Sequence, residues 1–404
     1  MGDSHASLGP RPDALYASPN ALARHYSRFK VAERLLLTGH SHQAWPDIAR
    51  DAQLAAWDDA ALEVDEKWAR AFAKADRVRV GFARLLDEPG ATIALAASTH
   101  DLLVRWLSAL PLRQRPRLVT TDAEFHSARR QLDRLGGEGI EVVKVAALPA
   151  ATVADRLAAQ LNDRTAAVVV SAVFFANAHI VPHLGDLLSA CARQGVELLV
   201  DAYHALNVVP FSVRAQKLEG AFVIGGGYKY CQLGEGNCFL RIPAGNAMRP
   251  VVTGWFAEFD HLEKQSAGQV TYGPGAQRFA GSTYDPTSHY RAAAVFEFFA
   301  QHGLTPELLR EVSQHQVGLL ARMFDDLDLD PSTIHREKDV PVTAIGGFLA
   351  LRSPNADRLG RRLRERGVLV DARGDYLRLG PAPYLSDRQL QEAMKALASS
   401  AGAA

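Results

Sequence analysis

The chain has 404 residues, and its 45 lysines and arginines balance 45 aspartates and glutamates, so it carries no formal net charge at pH 7. That length is enough for one catalytic unit of two lobes with a large core. The charge balance excludes a global field that would recruit nucleic acid or an anionic membrane, leaving a small-molecule partner as the expectation. Cys191, Cys231 and Cys238 have neither zinc-like nor redox spacing, which points to a reducing compartment and a cytoplasmic protein. The histidines, His40, His42, His126, His204 and His261 among them, form no metal-helix pair of the His-Glu-x-x-His kind, so no metal site is expected.

The first 25 residues lack the uninterrupted apolar core of a signal peptide and read as a loose leader. Residues 1–55 are expected to join a C-terminal lobe. Over residues 56–290, β-branched apolar runs alternate with segments of helical period: Leu118–Thr121, Glu141–Val145, Ala166–Val170, Glu197–Val200 and Ala221–Ile224. Continuous apolar strands imply burial on both faces, hence a mainly parallel α/β sheet flanked by helices in a large domain. The near-apolar stretch Ala166–Val181 is interrupted by Ser171, Asn177 and His179 and reads as a buried strand and loop, not a membrane span. Residues 291–404 are expected to form a smaller α+β domain. It would contain a Gly-containing strand over Val342–Leu351, a basic helix over Ala356–Arg366, strands over Val368–Val370 and Tyr376–Leu379, and a helix from Ser386.

Ligands on parallel sheets bind beyond the carboxyl ends of the strands, and several reactive residues fall there. Asp201 closes one strand and heads Asp-Ala-Tyr-His204; Gly225-Gly-Gly-Tyr228-Lys229 leaves the next. An amine and a carboxylate so placed are what pyridoxal phosphate requires: the lysine for a Schiff base, the acid for the pyridinium nitrogen. The same residues also suit plainer roles as a helix cap and a turn with a solvated lysine. The Gly run is not a nucleotide-phosphate loop, because Tyr230 and Cys231 follow Lys229 where Ser or Thr is needed. Ser98 and Thr99 open a helical segment and would serve either as a phosphate cradle or as an ordinary cap. Phe125, in a loop at the sheet rim, is placed to stack on a planar ring or to fill core. Arg378, in an apolar strand, is expected to meet a carboxylate, with a substrate carboxylate the foremost candidate.

Together these residues resemble the fold-type-I pyridoxal-phosphate enzymes of the aminotransferase class V branch, and among them the kynureninases, over roughly residues 35 to 385. The resemblance is firmest over Val200–Tyr230, through Asp-x-x-His-Ala and Tyr-Lys-Tyr. It implies a seven-stranded-type large domain with Lys229 as the Schiff-base lysine, Asp201 at the pyridine nitrogen and His204 near the phenolic oxygen. It also implies Tyr228, Ser98 and Thr99 as phosphate ligands and Phe125, in Glu-Phe-His-Ser, as the stacking residue. Gly254-Trp255-Phe256 resembles a segment whose tryptophan reaches the neighbouring subunit's cofactor. A homodimer with shared sites is therefore implied, with Ser282 or Thr283 of the loop Gly281–Pro286 reaching the phosphate. Arg378, before Pro381-Ala-Pro383, resembles the substrate-carboxylate arginine, and Ser41 and His42 lie on the substrate side.

Two features depart from the kynureninase pattern. Val64–Phe82 lacks the Gly-His and Pro-Trp segment, and the partner loop reads Gly-Ser-Thr-Tyr-Asp-Pro in place of Ser-Asn-Pro. The chemistry implied is hydrolytic Cβ–Cγ cleavage of a γ-keto amino acid, giving alanine and an aryl acid. Aminotransfer, other lyase or epimerase chemistry, and a non-catalytic cofactor-binding protein remain alternatives. A cysteine desulfurase is set aside, since no cysteine follows Cys238.

Overall fold

The computed structural model describes residues 9–264 and 268–401; the first eight residues of the expected leader lie outside these. In chain order the first elements are α1 (Pro12–Tyr16), β1 (Leu35–Leu36), α2 (Ile48–Glu63), α3 (Lys67–Leu85), β2 (Thr92–Ala96), α4 (Thr99–Ser108) and β3 (Arg117–Thr121). Next come α5 (His126–Gly136), β4 (Glu141–Val145), α6 (Val153–Ala158), β5 (Thr165–Ser171), α7 (Leu184–Arg193), β6 (Glu197–Asp201), β7 (Phe222–Gly226) and β8 (Cys238–Ile242). The chain ends through α8 (Thr287–Gln301), α9 (Pro306–Asp326), β9 (Leu349–Arg352), α10 (Ala356–Glu365), β10 (Val368–Leu369), β11 (Asp371–Arg373), β12 (Tyr376–Leu379) and α11 (Asp387–Ala401).

Seven strands form one sheet in the order β2-β8-β7-β6-β5-β3-β4, and β8 alone runs antiparallel to its neighbours. Successive residues of each strand feed opposite cores. Val168, Val170, Leu198, Val200 and Val223 enter one cluster, while Ala167, Val169, Leu199, Phe222 and Ile224 enter the other. Burial on both faces explains the unbroken apolar runs: each large side chain taken fully from water contributes about 1.5–3 kcal/mol. The strands expected over residues 56–290 are all present, and the fold is the α/β architecture anticipated. Among the described residues, no helix is long and apolar enough to cross a membrane.

The second sheet is antiparallel, β11-β12-β9, with α10 packed on it. One expected element is corrected here. Val342–Ala344 is a short 3-10 turn, and the strand starts only at Leu349. Gly346 and Gly347 sit between them: the Gly346 N–H donates to the Ala178 carbonyl, and a Cβ on Gly347 would lie 2.5 Å from the Tyr230 ring. The backbone is committed to the loop that follows β5 there and is unavailable to the β9 ladder. β11 is an element the sequence reading did not contain, and β10 stops at Leu369, a residue short of expectation.

The N-terminal segment is stitched to the C-terminal part of the chain. β1 pairs in parallel with β10, Thr38 forms a separate parallel bridge with Gly380 just past β12, in which the Gly39 N–H donates to the Gly380 carbonyl, and Gln389 Nε2 donates to the carbonyls of Val31 and Arg34. Asn20 Nδ2 likewise donates to the Pro383 carbonyl.

Candidate active site

The carboxyl ends of β3, β5, β6 and β7 open on a cavity lined by Thr99, Phe125, Ser171, Val173, Phe175, Asp201, Tyr203, His204, Tyr228 and Lys229. Six residues singled out from the sequence therefore meet in one place. β6 ends at Asp201, whose Oδ1 accepts from the Tyr203 N–H at 2.8 Å, turning the chain so that His204 also faces the cavity. β7 leaves the sheet through Gly225–Gly227, where the backbone passes too close to its neighbours for any side chain. A Cβ at Gly226 would lie 2.6 Å from Tyr203, and one at Gly227 2.4 Å from Leu233. Lys229 is thereby delivered to the cavity.

Lys229 Nζ lies 2.7 Å from His204 Nε2. Burial, opposed by Asp201 and assisted by Arg378, lowers the Lys229 amine to about 7. Burial also holds His204 well below its ordinary value, with Lys229, His40 and Arg378 adding to the effect. The shared proton therefore resides on Lys229, and His204 Nε2 accepts it; Nδ1, then the protonated nitrogen, is buried with no partner. The Lys229 amine also faces the rings of Tyr203 at 4.6 Å and Phe125 at 5.1 Å. An amine near neutrality is half available as a nucleophile or base, which an ordinary lysine is not.

Burial raises Asp201, with the Tyr203 N–H and the Lys229 charge working against it. Next to it in the ladder, Ser171 pairs in register with Asp201 and donates to Glu124 Oε2 at 2.6 Å, while Thr121 donates to Oε1 at 2.7 Å. Glu124, fully enclosed, is pushed up to about 7 by burial. Ser98 is the N-cap of α4, accepting from the Asp101 N–H at 3.1 Å, with its own hydroxyl proton left to donate; Thr99 follows on the cavity wall. His42 stacks on Tyr228 at 4.8 Å and 19°, and Ser41 Oγ lies 3.1 Å from His42 Nδ1.

Arg378 is buried behind Phe175, donating from Nη1 to the Phe175 carbonyl at 2.5 Å. The carboxylate it meets is Asp371, directly opposite it in the β11–β12 register. Trp255 and Thr283 are not on the cavity wall of their own chain. Both are exposed, on segments packed together where the Phe256 N–H donates to the Gly281 carbonyl.

Sequence reasoning gave no role to His40, Asp371 or Tyr203. The Asp371–Arg378 pair had a detectable signal, opposite charges flanking a Gly374-Asp375 turn at cross-strand spacing. His40 had none: it is enclosed because Gly380 leaves room for it, a Cβ there falling 2.2 Å from His40 Nδ1. Burial drives His40 to about 4, so it is neutral at pH 7. Among the described residues no group of acidic, His and Cys side chains is arranged to hold a metal ion. All three cysteines are buried and unpaired.

The α/β architecture that gathers amine, carboxylate, aromatic face and hydroxyl-bearing helix start at one rim of the sheet is the one seen in solved fold-type-I pyridoxal-phosphate structures. Solved structures carry that assignment of fold. The chain superposes on a C-DES mutant with glycine covalently linked to its PLP cofactor at a TM-score of 0.78, with 17% identity, covering 93% of this chain and 98% of that one. The cysteine desulfurase CsdA of Escherichia coli gives 0.76 at 17% identity, over 97% and 99% of the two chains. In sequence, the chain is 22% identical over 348 residues to the uncharacterized aminotransferase YcbU of Bacillus subtilis (strain 168), covering 84% of this chain and 88% of that protein. No family model matches.

Proposed function

We propose that the protein is a pyridoxal-phosphate-dependent enzyme acting on an α-amino acid. The observation that carries this reading is the buried Lys229–His204 contact in the same cavity as Asp201 and Phe125. The residues fit the cofactor: Lys229 for its aldehyde, Asp201 for its ring nitrogen, Phe125 for its face, and Ser98, Thr99 and Tyr228 for its phosphate. His204 Nδ1, buried and unpartnered, is a donor facing no protein acceptor. When bound, the cofactor supplies an electron sink for the pair left at the substrate α-carbon. The protein's part is acid–base work and placement. Lys229, near neutrality, takes the α-proton and returns it; neutral His204 receives the lysine hydrogen bond; the hydrophobic wall of Val173 and Phe175 limits water.

Hydrolytic Cβ–Cγ cleavage of a γ-keto amino acid is the finer reading we put first, supported by the kynureninase-like runs Val200–Tyr230 and Arg378–Pro383. Aminotransfer is the second, favoured by the resemblance to YcbU, which bears the aminotransferase name. Purified protein incubated with pyridoxal phosphate should develop a visible band that Lys229→Ala lacks; no band in the wild type refutes the cofactor reading. With kynurenine or 3-hydroxykynurenine, release of alanine supports the hydrolase. Conversion to the pyridoxamine spectrum without alanine refutes it in favour of aminotransfer.

We also propose a homodimer with shared sites. Exposed Val251, Val252, Trp255 and Phe259 form an apolar stretch beside the loop holding Ser282 and Thr283, a surface suited to a second copy. Sedimentation should give a dimer that Trp255→Asp weakens; a monomeric wild type with a full visible band overturns the proposal.

A further inference from the structure

Arg378 carries five N–H groups, and two are committed within the protein: one on Nη1 to the Phe175 carbonyl and one on Nη2 to Asp371. Its Nε is buried without a partner. Asp371 does more than meet one arginine. Three groups converge on a single oxygen, Oδ2: Arg378 Nη2, Arg373 Nε at 3.7 Å and His40 Nε2 at 3.8 Å. His40 is neutral at pH 7, so the convergence comprises two cations and one carboxylate. The backbone fixes this arrangement, since Asp371 and Arg378 are register partners of one hairpin and His40 is locked against Gly380. Burial alone would raise Asp371, but His40 and the two guanidiniums hold it well below the usual carboxylate range. It is therefore an anion at any physiological pH.

We propose that Asp371 is a specificity-determining residue: it offsets part of the positive charge at Arg378, so that the site disfavours a free carboxylate relative to that of an α-amino acid whose amine is captured in the adjoining Lys229 cavity. The proposal rests on the reading of Arg378 as the substrate-carboxylate arginine. An incoming carboxylate takes the Nε edge and the remaining Nη protons while Asp371 keeps its own bond. It then feels the Asp371 charge at close range in a partly desolvated site, where like charges repel far more than in water. Capture of the amine further offsets that repulsion for an amino acid, whereas an ordinary monocarboxylate has only the two guanidiniums to set against it. The arrangement sacrifices affinity to gain discrimination against abundant acids of the wrong class.

Calorimetric titration of the pyridoxal-phosphate-loaded protein with sodium propionate tests this without an assay of turnover. Asp371→Asn, which keeps the shape and removes the charge, should bind propionate about tenfold or more tighter than the wild type. Asp371→Ser should do the same, and the preference for L-alanine over propionate should shrink by a similar factor. A residue that merely propped up the fold would weaken binding when replaced, so a gain is diagnostic. Unchanged or weaker propionate binding in the folded variants overturns the proposal. Should neither variant fold, a crystal structure of the wild type with propionate decides: ligand on the Nε edge with the Asp371–Arg378 pair intact supports it, and displacement of Asp371 refutes it. A missing visible band would instead count against the cofactor reading, and the same titration on cofactor-free protein keeps the two failures apart.

Discussion

Replacing Lys229 with methionine should stabilise the cofactor-free protein at neutral pH and destabilise it in strong alkali. The amine is driven by burial from 10.5 to about 7. The folded chain thus loses this proton near neutrality while the unfolded chain holds it up to the ordinary lysine range, and wild-type stability climbs with pH across that window. At about 1.4 kcal/mol per pH unit, the burden is about 5 kcal/mol well below pH 7 and about 4 kcal/mol at pH 7. Methionine removes that burden, but it also strips His204 Nε2 of the hydrogen bond it receives at 2.7 Å. An unpaired buried acceptor costs about 1–3 kcal/mol. The net expectation is a gain of about 2 kcal/mol at pH 7, turning into a loss of about 1–3 kcal/mol once the wild-type lysine is neutral in both states. Urea unfolding of both chains, followed by circular dichroism at pH 7 and above pH 10.5, measures the difference. The same stability difference at both pH values would refute the argument that the lysine is held near neutrality by burial.

Glu124→Gln keeps the Ser171 and Thr121 contacts and removes a carboxyl raised from 4.5 to about 7. The wild type loses stability as pH rises through that interval, because the folded state keeps a proton the unfolded state has released; the variant should be about 3 kcal/mol ahead above pH 7 and equal below pH 4.5, by thermal melts across pH. Ser98→Ala removes the α4 cap and should cost about 1 kcal/mol. If the hydroxyl also holds phosphate, equilibrium dialysis should show weaker pyridoxal-phosphate binding; unchanged affinity leaves it a cap alone. Gly380→Ala would set a Cβ 2.2 Å from His40 Nδ1, and overpacking should cost about 1–3 kcal/mol in denaturant titration, accompanied by weaker amino-acid binding as Arg378 shifts.

The large sheet was legible because it is buried on both faces. Val168–Val170 and Leu198–Val200 cannot be solvated, so composition alone marks them as central strands. The cavity was legible for a related reason: Asp201 ends β6, Lys229 follows the adjacent β7, and a parallel sheet brings strand ends to one rim. What the sequence concealed depends on contacts between distant segments. The 3-10 turn at Val342–Ala344 follows from Gly346 serving Ala178, and the enclosure of His40 follows from Gly380. Neither partner lies near the other in the chain, and neither has a periodicity that foretells the meeting. Asp371, as a carboxylate that Arg378 meets within the chain, escaped the sequence reading for a different reason. Its partner is local, but a substrate carboxylate and Asp371 satisfy the same guanidinium chemistry.

The joining of β1 to β10, and of Gly39 to Gly380, has a consequence for biosynthesis. The N-terminal segment leaves the ribosome first, yet its strand partner emerges near the end of translation. The large sheet, whose last strand is complete at Ile242, is free to assemble long before. Domains fold as units while the chain is being made, and contacts of great sequence separation are the slow ones. Nascent chains should therefore acquire the lysine cavity early and the Arg378 corner late. A chain terminated after Ile242 would hold the strands that frame the Lys229 cavity while β1 still lacked its partner β10.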